Sequence, residues 1–158
     1  MIQDVQVKLL KTHRSADKSE FTEIIRHSDT FFTEGFAQLN HVTMYGRGTI
    51  KAWHICQTQE EWWYVPVGNL AVKLIDIRKN SPTYKNEMII TLGDSYPPKV
   101  LKVPHGIVHG CKSIYFVTHL IYIASKEYDE HEELKFKLKD DFNFYWDEWE
   151  KIKKGVNI

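Results

Sequence analysis

The sequence predicts an all-β domain, a barrel or sandwich of short strands, with a short C-terminal helix. Three observations lead there. Short runs of aliphatic, β-branched and aromatic residues recur along the chain. Turn residues separate them. No helical period dominates before about residue 125. The 158 residues make one domain, 1–158, with no Pro/Gly/Ser-rich linker to divide it.

The elements follow in order. Residues 5–10, 21–25 and 36–43 are the first candidate strands. Residues 49–55 follow Gly46, Arg47 and Gly48, a turn signal. Residues 62–67 and 70–77 flank Gly68 and Asn69, which read as a two-residue hairpin loop. Residues 88–91, 100–103 and 114–124 complete the strands. The mixed charge of residues 126–139 reads as a solvated loop or edge strand. Residues 143–154 read as a helix. Asn143 can cap it, Asp147 and Glu148 lie in an early turn, and Lys151, Lys153 and Lys154 lie near its end. Phe142, Tyr145, Trp149 and Ile152 give it one apolar face.

Composition excludes several classes. The 21 Lys and Arg balance 21 Asp and Glu, which argues against nucleic-acid binding through bulk positive charge. Two cysteines, Cys56 and Cys111, are too few for a disulfide scaffold. No signal peptide is visible, and the longest apolar stretch, 114–124, is too short to span a bilayer. The expectation is a cytoplasmic protein with no membrane or nucleic-acid partner.

Two segments carry chemistry. The first runs from Gly48 through Lys51, Trp53, His54 and Cys56 to Glu61 and Gly68. The second is Pro104, His105, Gly106, His109 and Gly110, a tight turn that delivers His109 to a strand. In a strand His54 and Cys56 share a face, because the side-chain period is two. Histidines from two strands of one barrel can meet inside it. Each residue has two readings. His54 and His109 are site histidines or hydrogen-bonded core residues. Asp76, in an apolar run, needs a partner: His109, Arg78 or Lys73. Tyr128 is a site phenol or an exposed loop residue. Trp53, Trp62 and Trp63 stack on a ligand or pack the core, and at most one of Trp62 and Trp63 faces inward. Lys51, Arg47 and Arg78 are the local cations for a phosphate or solvated surface charges. His54, Cys56, Glu61 and His109 together are a candidate metal set.

The spacing of Gly48, His54, Cys56, Glu61, Gly68, Pro104, Gly106 and His109 resembles the two-part cupin pattern, with Cys56 in place of its second histidine. A wider series resembles the dTDP-4-dehydrorhamnose 3,5-epimerase family. Asp17, Phe21, Glu23, Ile24 and Arg26 resemble its N-terminal strand. Gln38 and Asn40, then Gly48, Lys51, Trp53 and His54, resemble its Gly-x-x-Arg-Gly-x-His stretch. Val72, Leu74, Asp76, Arg78, Ser81, Pro82 and Thr83 resemble a third motif. Leu101, Val103, Pro104, Gly106, His109 and Gly110 resemble a fourth. Tyr122, Tyr128, Asp129, His131 and Glu132 resemble the last. The matches run in order from about residue 17 to about residue 133.

The resemblance implies a cupin barrel (a double-stranded β-helix or jelly roll), paired as a homodimer and needing no cofactor or metal. It implies a nucleotide-diphosphate sugar as partner, a 4-keto-6-deoxy hexose epimerised by proton abstraction beside the ketone and reprotonation. His54 matches the base, Tyr128 the acid, and His109 with Asp76 an imidazole–carboxylate pair near the developing enolate. Lys51, Asn40, Gln38, Trp53 and Arg78 fall at substrate-binding positions. Lys51 stands where the family has Arg, which keeps the charge and loses the bidentate fork. Tyr145 and Trp146 stand where short relatives have Asp-Trp. The competing functions are a metal-dependent cupin enzyme using His54, Cys56, Glu61 and His109, and a non-catalytic sugar-nucleotide binder.

Overall fold

The computed structural model describes residues 1–131 and 133–135. The helix expected at 143–154 lies outside the described residues. Among the described residues twelve strands are formed. They are β1 (Gln6–Leu9), β2 (Thr12–Arg14), β3 (Glu20–Thr22), β4 (Gln38–Met44), β5 (Ile50–Cys56), β6 (Glu61–Val67), β7 (Asn69–Asp76), β8 (Glu87–Gly93), β9 (Lys99–Val103), β10 (Ile107–Ser113), β11 (Thr118–Ala124) and β12 (Glu133–Lys135). One five-stranded sheet has the order β1-β9-β6-β11-β4 and the other β12-β5-β10-β7-β8; β2 and β3 form a separate hairpin. Within both sheets the pairing is antiparallel.

The core lies between the two sheets. Leu70, Val72 and Leu74 of β7 and Ile107 and Cys111 of β10 meet Trp63 and Val65 of β6, Leu101 and Val103 of β9, and Leu120 of β11. Residues two apart share a face, so each strand contributes every second side chain. Strand β7 is buried along its whole length, and its odd residue Ile75 packs with Ile55 and Val108 in a second cluster beside Trp53 and Ile77. The two adjacent tryptophans divide in the same way. Trp63 enters the main core, while Trp62 packs beneath Phe32 with its indole N–H donating to the Phe31 carbonyl at 3.0 Å.

Three expectations change. Gly68 does not close a hairpin, because β6 and β7 belong to different sheets. It makes the corner at which the chain passes from one sheet to the other. Its φ is +76°, and a Cβ there would lie 2.2 Å from the Val117 carbonyl oxygen. Of the run 114–124 only Thr118–Ala124 is a strand, β11; residues 114–117 separate it from β10, which ends at Ser113. Strand β2 was not anticipated. The charged stretch 126–139 does supply an edge strand, β12.

Candidate active site

β5 and β10 are neighbours, and their register places His54 directly opposite His109. Directly paired residues project to the same face. The two imidazoles stack with centroids 6.1 Å apart and planes 25° from parallel. The meeting of two histidines inside one barrel, expected from their strands, is present. Beyond His109 the ladder shifts register before Cys111 pairs with Lys51. The Ala52–Trp53 peptide in this stretch of β5 is cis.

His109 is buried and has two polar neighbours. Its Nδ1 lies 3.0 Å from the Ile107 carbonyl oxygen, and its Nε2 lies 3.8 Å from Glu61 Oε2. The Trp63 indole packs edge-on against it, centroids 5.5 Å apart. Glu61 is 6% exposed. Its carboxylate accepts from Trp63 Nε1–H at 2.7 Å, from Gln59 Nε2 at 3.1 Å and from Cys56 Sγ–H at 3.8 Å. These donors satisfy the oxygens of a carboxylate that burial takes away from water.

Cys56 and Glu61 also form a wall of a cavity of about 80 Å³. Its other lining residues include Gln38, Asn40, Gln59, Tyr122 and Tyr128. Gln38 and Asn40 share a face of β4, and Tyr122 of β11 stands opposite Asn40 in register. Gln38 donates through Nε2 to Asn40 Oδ1 at 2.6 Å and accepts the Tyr128 backbone N–H at 2.7 Å. That second bond ties the segment after β11 to the rim. Tyr128 is 68% exposed there, so its side chain meets both cavity and solvent.

The structure therefore gathers Gln38, Asn40 and Tyr128 around one cavity, with Cys56 and Glu61 in its wall and His109 next to Glu61; His54 is not among the cavity-lining residues and meets the group through its stack on His109. Other expected residues go elsewhere. Asp76 is fully buried and its partners are Arg78, Ser81 and Thr83; the carboxylate beside His109 is that of Glu61. Burial alone would push the Asp76 carboxyl up, but the bonds from Arg78, Ser81 and Thr83 prevail and hold it well below the usual carboxylate range. Arg78 spends its fork on Asp76, Asp4 and the Gln3 carbonyl, which removes it from the candidates for gripping a phosphate. Trp53 lies on the opposite face of β5 from His54. It packs with Ile55, Ile75 and Val108 and against Gly110. Lys51 is exposed on β5. Gln59 and Tyr122 were not singled out as site residues from the sequence. The alternation that puts Tyr122 level with Asn40 was the available signal for one of them, whereas Gln59 sits in a loop with no period to read.

An antiparallel two-sheet barrel with a polar cavity and two facing histidines is a cupin-type fold. A family model described as dTDP-4-dehydrorhamnose 3,5-epimerase matches residues 4–155, and the chain belongs to that family. The chain is 31% identical over 150 residues to the spore coat polysaccharide biosynthesis protein SpsL of Bacillus subtilis (strain 168), covering 92% of this chain and 97% of SpsL. Its fold is similar to that of a dTDP sugar isomerase from Desulfovibrio desulfuricans G20, with a TM-score of 0.83, 21% identity and 92% of each chain covered. It is also similar to dTDP-4-dehydrorhamnose 3,5-epimerase from Bacillus anthracis str. Ames, whose structure has TDP and PPi bound. There the TM-score is 0.81 and the identity 23%, with 90% of this chain and 85% of that one covered. Among the described residues no helix is long and apolar enough to cross a membrane.

Proposed function

We propose that this protein is an epimerase of a nucleotide-diphosphate 4-keto-6-deoxy hexose, in a pathway that builds a surface polysaccharide. The observation that carries the reading is the cavity in which Tyr128, Gln38 and Asn40 face Glu61, within a chain matched to the epimerase family from residue 4 to 155. The similarity to SpsL supports the pathway, and the TDP bound to the Bacillus anthracis relative supports the ligand class.

Epimerisation beside a ketone needs a base on one face of the sugar and an acid on the other. In this reading His54 takes the proton and the Tyr128 hydroxyl returns one from the rim. An imidazole suits the first task because its ordinary pKa lies near neutral pH. Gln38 and Asn40 donate to sugar hydroxyls, Lys51 meets the diphosphate, and His109 with Glu61 faces the oxygen where enolate charge develops. The reading includes a cytoplasmic homodimer, for which light scattering on the purified protein is the check.

The experiment is solvent deuterium wash-in with dTDP-4-keto-6-deoxyglucose, followed by mass spectrometry and NMR. The expected result is deuterium at C3 or C5. Absence of exchange at both carbons across the common nucleotide keto sugars refutes the epimerase. Tight binding of the nucleotide sugar without exchange would instead establish a binder.

A further inference from the structure

We propose that Glu60 and Lys102 are a positioning pair for the cavity, an ion pair buried behind its wall that fixes the peptide carrying Gln59 and Glu61. In its consequence for turnover the proposal rests on the epimerase reading. Lys102 Nζ lies 2.8 Å from Glu60 Oε2, and the two residues are 5% and 7% exposed. Neither is among the residues that line the cavity.

Register brings the pair together. Lys102 of β9 stands directly opposite Trp62 of β6. Glu60 precedes Trp62 by two residues, so alternation turns both toward the same face of the sheet. Lys102 extends over the Trp62 indole, its Nζ 5.7 Å from the ring centroid, and reaches Glu60 on the diagonal. The segment ahead of β4 closes over them. Thr33 Oγ1 accepts from Lys102 Nζ at 3.0 Å and donates to Glu60 Oε2 at 3.3 Å. Phe32 packs edge-on against the same indole, and the Phe31 carbonyl accepts its N–H.

The residues on either side connect the pair to the cavity. Gln59 and Glu61 flank Glu60 in the chain, and both line the cavity. The Glu60 backbone is held as firmly as its side chain. Its N–H donates to Ser125 Oγ at 2.9 Å, and its carbonyl accepts the Ser125 N–H at 3.0 Å. Ser125 follows Ala124, another lining residue. Glu60 therefore joins the start of β6 to the end of β11, two walls of one cavity.

Stability alone does not call for charge here. Two ions taken out of water recover their hydration only in good geometry, and apolar residues of similar volume often serve stability as well or better. What the ions add is direction. An ion pair with a bridging hydroxyl sets the Glu60 peptide at one depth, whereas two apolar side chains leave it free to slide. Gln59 donates to Glu61 Oε1 at 3.1 Å, so a shift of that peptide moves both lining groups together. A misplacement of about 1 Å that starts away from the reacting atoms can cost about 100-fold in rate.

The test compares the full chain with a Glu60→Met, Lys102→Met double variant and with Thr33→Val. Three quantities are read on each. They are the urea midpoint, kcat and KM for deuterium wash-in with dTDP-4-keto-6-deoxyglucose, and the rate of Cys56 alkylation in native buffer by mass spectrometry. The last reports how firmly the wall is held, because a buried thiol reacts only when its surroundings give way. The double variant is expected to keep a urea midpoint at or above that of the wild type. Its kcat per folded chain should fall about 10- to 100-fold with KM little changed, and Cys56 should react faster. Thr33→Val should move kcat and alkylation the same way by less. A merely structural pair would lower the midpoint and leave kcat per folded chain as it was. Wild-type kcat in the folded double variant therefore overturns the proposal. If the double variant does not fold, wild-type kcat in Thr33→Val overturns it. Absence of exchange in the wild type refutes the epimerase reading instead, and an unchanged rate of Cys56 alkylation in the variants then overturns the pair.

Discussion

Single atoms decide two positions in this barrel. At Gly110 a Cβ would lie 2.6 Å from the Ala52 Cβ and 2.9 Å from the Trp53 ring, so the residue after His109 has no room for a side chain. Gly110→Ala should cost about 1–3 kcal/mol through overpacking, read as a lower urea midpoint. Asp76 illustrates the opposite economy, a buried charge with every oxygen engaged. Asp76→Asn breaks its pair with Arg78 and should cost about 3 kcal/mol at neutral pH. The sign of its pH dependence follows from its depressed pKa. The folded state binds the proton less readily than the unfolded chain, whose value is 3.8. The stabilisation is complete above that value and disappears as pH falls through the folded one. The gap between wild type and variant should therefore narrow in acid, measured by urea titrations at successive pH values.

At the scale of elements, the turn between β6 and β7 sets the architecture. A hairpin glycine and a sheet-crossing glycine look alike in sequence, since both need a left-handed residue. The contact of Gly68 with Val117 and Thr118 belongs to the corner and to nothing local. Gly68→Ala should cost about 3 kcal/mol, combining overpacking with an unfavourable φ, and calorimetry on the purified variant is the measurement. Most strands were legible because alternation is a local property: β4, β6, β7 and β9 lie within two residues of their expected limits. β2 was not, because its three residues, Thr12–Arg14, are too short to show a period. The direct opposition of His54 and His109 depends on register, and a shift of one residue would turn either ring to the other face.

The whole molecule responds to alkali through its interior. Cys111 is 2% exposed, and burial pushes its thiol up to about 12 from 9.0. The unfolded chain loses that proton first, so stability falls as pH rises above about 9. The slope from this group is about 1.4 kcal/mol per pH unit. Cys111→Ala should remove that part of the slope, compared by urea midpoints at about pH 8 and about pH 10. The same burial makes Cys111 inert to thiol reagents until the barrel opens. Alkylation followed by mass spectrometry should find it modified in denaturant and unmodified in buffer.

The sequence by itself determined the all-β class, the family resemblance and the two histidine-bearing segments. These rest on alternation, turn residues and ordered motifs, all of which are local in the chain. It also narrowed the partner of Asp76 to three residues without choosing among them. The tertiary structure chose Arg78, engaged that guanidinium, and turned Trp53 away from His54. It placed Glu61, from the start of the next strand, against His109 and Cys56. The Asp76 pair is made within two residues of chain, whereas the meeting of Glu61 and His109 at 3.8 Å depends on how the two sheets face each other. Side-chain chemistry could therefore be listed from the sequence, while the partners that give each group its role were decided by which strands lie side by side.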